Sequence, residues 1–482
     1  MRNITVDVAV IGAGTAGLVA RRNAESEGAS TIMIDPGPLG TTCARVGCMP
    51  SKLLIAAADA VHHTQHADVF GLTTTVEVDG KKVMERVRSM RDFFTSFVIK
   101  SVDDLEKTEK FIKGRGRFTG PNTIEVSSNG EVITEVTAKQ IVIATGSSPA
   151  VPPPYRHLSR DVMLFNDDVF DWEDLPESIL VVGTGVIALE LGQALHRLGV
   201  RTTIVGIQGL VGPLSDPKMI EEATKIFSEE LDIHPDFKLE EISESEGQVH
   251  LKFEDPDGSK HEGSYQYVLM AAGRSPNLKS LNLESTGLDL NDRGMPPWNE
   301  LTSQIGDSHL FIAGDVNQYR MLLHEAADEG RMAGLNAANF PEITEHERRT
   351  MLGVVFTDPQ IALVGKGWKE MDCDSYRVGV VSYWKQGRAR VMNENKGMVR
   401  IYGELNTGKL VGAEMVGPRV EHTAHLLAWA IQSGMTVKEA LGMPFYHPVV
   451  EEGIRTALRD LDYQLGLSRP PGEPCEEFGP GD

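Results

Sequence analysis

VDVAVIGAGTAG, running from Val6 to Gly17, is the stretch on which the reading of the fold turns. Its apolar run has the look of a strand buried on both faces. Three glycines follow at 12, 14 and 17. The first permits a tight turn, the second lets backbone approach a pyrophosphate, and the third lets the next helix, which opens around Ala16 and Gly17, pack closely on the strand. STIMID then reads as a second strand ending in Asp35, near the roughly 20-residue interval at which an acid accepts hydrogen bonds from a ribose. Strand, glycines, helix, strand and acid in that order specify a dinucleotide-binding unit.

The pattern returns in ILVVGTGVIALELG, Ile179 to Gly192, with Gly183 and Gly185 after an apolar strand and Ala188 in place of the third glycine. Val186, Ile187 and Glu190 belong to the helix that follows. The offset that carries Gly12 to Gly183 carries Asp35 to Gly206, so the second unit lacks the acidic ribose clamp. No arginine pair follows to hold a 2′-phosphate, which favours NAD over NADP.

KQIVIATGSSPAVPPP joins the two units: a short apolar strand ending in Ala144, Thr145 and Gly146, then prolines at 149, 152, 153 and 154 that mark a crossing. VLMAAGRSPN, with Gly273, marks the return. HLFIAGDV sets Gly314 and Asp315 after another buried strand, and a helix over His324 to Ala338 could turn its N-terminal amides to an anion or carbonyl. From about Gly353 the character changes to antiparallel strands with a turn at Asn406 to Gly408, and to two amphipathic helices around PFYHPVVEE. The expected fold is α/β, with two Rossmann-like domains and a C-terminal α+β domain. The expected parts are residues 1–150 (first part of one nucleotide domain), 151–270 (the second nucleotide domain), 271–350 (the remainder of the first), 351–466 (the α+β domain) and a polar tail over 467–482.

A chain of 482 residues exceeds one ordinary core. Its net charge of −22 disfavours nucleic acid and anionic membrane as partners. The N-terminus enters a strand at once, without the charged region and apolar run of a signal peptide, and no stretch approaches the roughly 18 apolar residues of a membrane span. A cytoplasmic protein is expected, and with it a reducing setting that disfavours a permanent disulfide scaffold.

Two of the four cysteines, Cys43 and Cys48, lie in GTTCARVGCMPSK, Gly40 to Lys52. A zinc clip, a structural bridge and a redox pair are the three readings. Zinc needs about four ligands, whereas Cys373 and Cys475 are isolated, so no metal site is expected. Cys373 reads as an ordinary small residue and Cys475 as a tail thiol.

Together these motifs resemble the flavoprotein disulfide reductases, and among them most closely the dihydrolipoyl dehydrogenases. The resemblance spans Val6 to about Tyr463 and rests on the first glycine motif, CxxxxC with ProSerLys after it, GRGRF at Gly114 to Phe118, ATG at Ala144, the second glycine motif with Glu190, AGD at Ala313, and HisPro at His447 with Glu452. It implies tightly bound FAD in the first unit, contacted by Gly12, Gly14, Ala16, Gly17, Asp35, Thr42, Lys52, Gly116, Ala144, Thr145, Gly146, Gly314, Asp315, Met321, Leu322 and His324. It implies NAD at Gly183, Gly185, Val186, Ile187, Glu190, Gly206 and Gly273, and a homodimer formed through the last domain. Cys43 would meet the substrate, Cys48 the flavin, and Lys52 would sit near flavin N5 paired with Glu190. His447, oriented by Glu452, would be the base reaching the partner subunit's site. An oriented imidazole suits deprotonation of a substrate thiol near neutral pH, and a cation favours a thiolate.

The implied reaction oxidises dihydrolipoamide with NAD, the lipoyl-domain protein of a 2-oxo acid dehydrogenase complex being a further partner. Asp35 replaces the usual glutamate, Thr41 a glycine, AlaArgVal (with Arg45) LeuAsnVal, Gly206 the acid, and HisProValVal HisProThrLeu. The rival readings are a glutathione-type or mercuric-type reductase using NAD(P)H and a non-catalytic flavin-binding redox sensor. Mercuric-type enzymes need a C-terminal cysteine pair, a soluble transhydrogenase lacks the thiol pair, and a sensor needs no oriented base.

Overall fold

The computed structural model describes residues 2–372 and 374–467, which leaves the expectations for Cys373, Cys475 and the tail beyond Leu467 outside the described residues. Two compact units emerge: residues up to Pro50 with Glu85–Ala150 and Gly273–Arg348, and Ser51–Met84 with Val151–Ala272 and the described residues from Arg349.

In the first unit, five strands run parallel in the order Phe111–Lys113, Thr31–Asp35, Arg2–Ile11, Glu131–Ile143 and Leu310–Ile312. Val8, Val10, Ile32, Ile34, Ile141 and Ile143 are all buried, as strands covered on both faces require. Strand Glu131–Ile143 corrects the expectation of a short strand ending in ATG: it has 13 residues and ends at Ile143. Its first part pairs antiparallel with Thr123–Ser128 and alternates buried with exposed positions, while Ile141–Ile143 are buried throughout. The apolar tip was therefore visible and the half-exposed stem was not.

The register decides where ligands can go. Ile11 pairs with both Ile34 and Ile143, and Ile143 with Ile312. The next residues, Gly12, Asp35, Ala144 and Ala313, therefore leave the sheet side by side at its carboxyl edge, where open α/β sheets bind ligands. Helices Thr15–Ser26 and Leu323–Asn339 cross at small residues. A Cβ on Gly330 would lie 2.3 Å from the Ala16 carbonyl oxygen, and one on Gly334 2.2 Å from that of Ala20.

The second unit repeats the parallel arrangement with strands Asp232–His234, Arg201–Val205, Ser178–Val182, Tyr267–Met270 and Met163–Leu164 in that order. Val182 pairs with Val205 and Met270, so Gly183, Gly206 and Ala271 leave this sheet together. An antiparallel trio, Lys238–Ser245, Gln248–Glu254 and Lys260–Tyr265, accompanies it. The C-terminal part is a five-stranded antiparallel sheet ordered Leu352–Val355, Gln360–Gly365, Leu410–Gly417, Met398–Glu404, Tyr376–Ser382, with helices Val420–Gln432 and Glu452–Gln464 packed on it. Its last hairpin turns at Asn406–Gly408, as expected. The fold class is α/β with two Rossmann-like units and an α+β part.

Candidate active site

The two glycine loops have one conformation. Gly12 (φ +112°) and Gly183 (φ +120°) each press on the end of the neighbouring strand: a Cβ would come within 2.2 Å of the Ala144 oxygen at the first and 2.4 Å of the Ala271 oxygen at the second. Gly14 and Gly185 cap their helices with φ −77° and ψ −175° or −174°, and no side chain occupies either cap. Space beside both is open to 4 Å. Uncapped helix amides facing open space are what a pyrophosphate cradle requires.

Around the first cradle, Asp35 and the turn through Ala144, Thr145 and Gly146 are held in place. Asp35 accepts from Ala13 N through Oδ2 (2.7 Å) and from Gly37 N through Oδ1 (2.6 Å), which fixes its carboxylate at the strand end. Ser147 Oγ donates to Asp315 Oδ2 at 3.2 Å and accepts from Arg274 Nε at 2.8 Å. Thr145 and Asn277 are bonded reciprocally, Oγ1 to backbone oxygen at 2.9 Å and Nδ2 to backbone oxygen at 3.0 Å, which pins the turn through Gly146. Leu322 caps helix Leu323–Asn339 without a side-chain hydrogen bond, so the amides at Met321, Leu322 and His324 are at an uncapped helix start. Gly116 packs where a Cβ would meet Ile124, Ile34 and Ile11 at 3.3–3.5 Å. Its place is beneath the residues preceding Asp35 and Gly12. Two carboxylates, two open amide ends and a side-chain-free cradle fit a flavin dinucleotide.

Cys43 lies on the short helix Thr42–Val46 and is half-buried; Cys48 opens helix Cys48–Gln65 and is exposed. Thr41, the cap before Thr42, has φ +60° and ψ +151°, and its side chain accepts from Ala44 N at 3.3 Å. One turn along the helix from Cys48, Lys52 Nζ donates to both oxygens of Glu190, at 2.9 and 2.7 Å. Glu190 also accepts from Phe356 N (3.0 Å), and Lys52 stands 4.5 Å above the Phe356 ring. The glutamate is 5% exposed and the lysine 33%. Glu190, expected also at NAD, thus has its carboxylate committed to lysine and amide.

At the second loop, Val186 is exposed and Ile187 half-buried at the helix start, and Gly273 takes φ +106° with open space beside it. Gly206 sits against Thr184, whose methyl and hydroxyl both lie 2.6 Å from where a Cβ would be. His447 Nδ1 lies 2.9 Å from Glu452 Oε1, and Glu452 Oε2 accepts from Val449 N at 3.0 Å. That holds the ring in the tautomer with Nδ1–H and leaves Nε2 as the basic atom. The histidine side chain is 60% exposed.

Sequence reasoning missed Thr184, Phe356, Ser147, Asn277 and Glu329. Fully buried, Glu329 accepts from Gly314 N and Asn317 Nδ2 at 2.7 Å each and pairs with Arg348 at 2.7 Å, which holds the AlaGlyAsp turn. Burial raises its pKa, with Arg348 opposing. An acid within the alanine-rich helix Leu323–Asn339, in step with Ala326 and Ala333, was the available signal.

Residues 6–330 match the family model of the pyridine nucleotide-disulphide oxidoreductases, and residues 351–458 that family's dimerisation domain. A dihydrolipoyl dehydrogenase of Thermus scotoductus is 31% identical over 95% of this chain and 98% of its own. The structure of LpdA from Mycobacterium tuberculosis is 25% identical, with a TM-score of 0.79 over 94% of this chain and 99% of that one. The Cu(II) complex of RclA, an HOCl-induced flavoprotein disulfide reductase of Escherichia coli, shares the fold at 22% identity, with a TM-score of 0.78 over 96% and 100% of the two chains. The dimerisation match supports a homodimer, and in that region Trp429, Tyr446, Leu426 and Met443 stand exposed on the single chain. Among the described residues no helix is long and apolar enough to cross a membrane. The chain belongs to the pyridine nucleotide-disulphide oxidoreductases, enzymes that work with FAD and NAD(H).

Proposed function

We propose that this enzyme is a dihydrolipoyl dehydrogenase that oxidises dihydrolipoamide with NAD through a Cys43–Cys48 disulfide. The observation that carries the reading is the oriented His447–Glu452 dyad, because a dithiol substrate is inert until a base takes its proton. Nε2 of His447, contributed by the partner subunit, accepts the proton of one substrate thiol. The thiolate attacks Cys43 Sγ, the Cys43–Cys48 bond breaks, and Cys48 leaves as a thiolate. The second substrate thiol then attacks the mixed disulfide, closing the substrate's own disulfide and releasing Cys43. Lys52, held by Glu190, supplies the positive charge that favours the Cys48 thiolate. FAD, which Asp35 and Asp315 at the first sheet edge would help to hold, would supply the two-electron chemistry that connects the reduced pair with NAD.

The relatives' names support lipoamide chemistry, and Asp35 and Asp315 at the first sheet edge support FAD there. Steady-state assays of dihydrolipoamide with NAD and with NADP, beside reverse assays with lipoamide, glutathione disulfide and mercuric ion, test the reading. Rapid turnover of dihydrolipoamide with NAD is expected. Negligible turnover beside fast reduction of another disulfide would replace the substrate, and Arg45 next to the pair would then be the first residue to examine.

A further inference from the structure

The second unit carries a cluster that disulfide chemistry does not use. His234 ends the edge strand Asp232–His234, Asp255 follows strand Gln248–Glu254, and His261 lies on the antiparallel neighbour of that strand, opposite Phe253. The Phe253 ring stacks on His261 at 4.8 Å and meets His234 edge-on at 4.7 Å, which fixes both imidazoles. His234 Nδ1 lies 3.0 and 2.9 Å from the two Asp255 oxygens, and its Nε2 lies 3.0 Å from Asp232 Oδ1. His261 Nε2 approaches Asp255 Oδ2 to 2.9 Å. Yet that nitrogen is sealed from solvent and has no aligned hydrogen bond. One ligand atom from each of His234, Asp255 and His261 can be chosen so that all lie within 4.8 Å of one another.

A protonated His234 between two carboxylates would account for half of this arrangement. It leaves the His261 nitrogen, 2.9 Å from a carboxylate oxygen but not aligned to donate to it, without a hydrogen bond. A cation among the three groups accounts for both. His234 would ligate through Nδ1 while its Nε2–H donates to Asp232, the carboxylate support that metal-bound imidazoles usually have. Two imidazoles and one carboxylate favour the zinc class over calcium or magnesium, which prefer all-oxygen shells.

We propose that His234, Asp255 and His261 form a binding site for a divalent transition metal of the zinc class, with Asp232 orienting His234 and water completing the coordination. The ion would tie the edge of the parallel sheet to the antiparallel trio. The same strand end receives hydrogen bonds from the nucleotide loop, Gly206 N to His234 O (2.8 Å) and Gly209 N to Pro235 O (3.1 Å), so occupancy would brace that loop.

The test is calorimetric titration of Zn²⁺ into flavin-loaded dimer carrying Cys43→Ser, Cys48→Ser, Cys373→Ser and Cys475→Ser, which removes the competing sulfurs. This protein is expected to bind one equivalent per chain more than the same protein with His261→Ala. Asp232→Asn is expected to weaken that equivalent by about tenfold without abolishing it. X-ray absorption of the zinc-loaded protein gives a reading that does not depend on any histidine variant folding: nitrogen and oxygen neighbours at about 2.0–2.2 Å are expected. Equal stoichiometry and affinity with and without His261, or a shell dominated by sulfur, overturns the proposal. Failure of the lipoamide assays leaves this result untouched, because the readout is binding.

Discussion

Thr184 occupies the volume that a side chain at position 206 would need: its Cγ2 and Oγ1 each lie 2.6 Å from a Cβ built on Gly206. The first nucleotide loop has the reverse arrangement. Ala13 is small, and Asp35 fits beside it with the Ala13 amide donating to the carboxylate. Ala13 and Asp35 correspond to Thr184 and Gly206 under the offset that relates the two glycine motifs. A bulky first residue thus accompanies a bare second one.

Gly206→Asp alone is expected to lower the melting temperature without improving the KM for NAD. Combined with Thr184→Ala, it is expected to lower that KM by roughly tenfold, about one charge-assisted hydrogen bond, with no gain for NADP. Equal KM values for the single and double variants would show that Thr184 is not the obstacle.

The Lys52–Glu190 pair is buried at its acidic end. Lys52→Met leaves a sealed carboxylate that keeps the Phe356 amide and, more weakly, Ser51 Oγ at 3.5 Å as bonding partners. A loss of about 2 kcal/mol is expected, below the roughly 3–5 kcal/mol of a fully buried pair because the lysine is one-third exposed. Glu190→Gln with Lys52→Met should cost less than the two single changes together, with a coupling of about 1–2 kcal/mol from denaturant midpoints. Additivity would mean that the pair contributes nothing beyond its separate groups.

Thr41 combines a β-branched side chain with φ +60° and ψ +151°, a region that suits glycine and costs other residues about 1–3 kcal/mol. Against that stand a long capping bond to Ala44 N and the greater chain entropy of glycine when unfolded. Thr41→Gly should raise stability by about 0.5–1 kcal/mol, and Thr41→Val, which keeps the strain and loses the cap, should lower it by about 1 kcal/mol. Urea unfolding followed by flavin fluorescence measures both; a destabilised glycine variant would show that the cap outweighs the strain.

His62 introduces a pH dependence. Burial, and then the nearby Arg197, pull its pKa down to about 4, against the opposing effect of Glu230 and Asp358. Unfolded, the ring titrates near 6.5. Between those values the unfolded chain binds the proton more readily, so the stability tied to neutral His62 is complete above pH 6.5 and is lost as pH falls towards 4. Arg197 remains fixed in this network by Glu230 (2.6 Å), Asp59 (3.0 Å) and Asp358 (3.2 Å). His62→Gln cannot take up the proton, so its melting temperature should gain on that of the native chain as pH drops from 7 to 4.5. Parallel curves would remove His62 from the account.

Where one residue's type carries the physics, the sequence was legible. Gly12, Gly14, Gly183 and Gly185 do what glycines in a nucleotide loop must, and Asp35 stands at its strand end, because backbone conformation and strand register follow from local pattern. Glu329, Phe356 and Thr184 were not legible, because each acts on a residue distant in sequence or through a clash that only assembled packing creates. Strand Glu131–Ile143 lay between these cases: its buried tip stood out, while its stem depended on a neighbouring strand. The cluster of His234, Asp255 and His261 was invisible for the same reason, because it forms only where the edge strand of one sheet meets the strands of another.

The close crossing of helices Thr15–Ser26 and Leu323–Asn339 has a consequence for synthesis. The N-terminal glycine loop lacks the Leu310–Ile312 strand, the Glu329 support and the covering helix until about residue 339 has left the ribosome. At roughly 5–20 residues per second, this leaves the first nucleotide fold incomplete for about 20–60 s after its opening strand is made. The middle Rossmann unit, whose sheet strands all lie between Met163 and Met270, has its full set earlier. Translation thus completes the strand set of the middle fold before that of the N-terminal one, although the N-terminal fold is begun first.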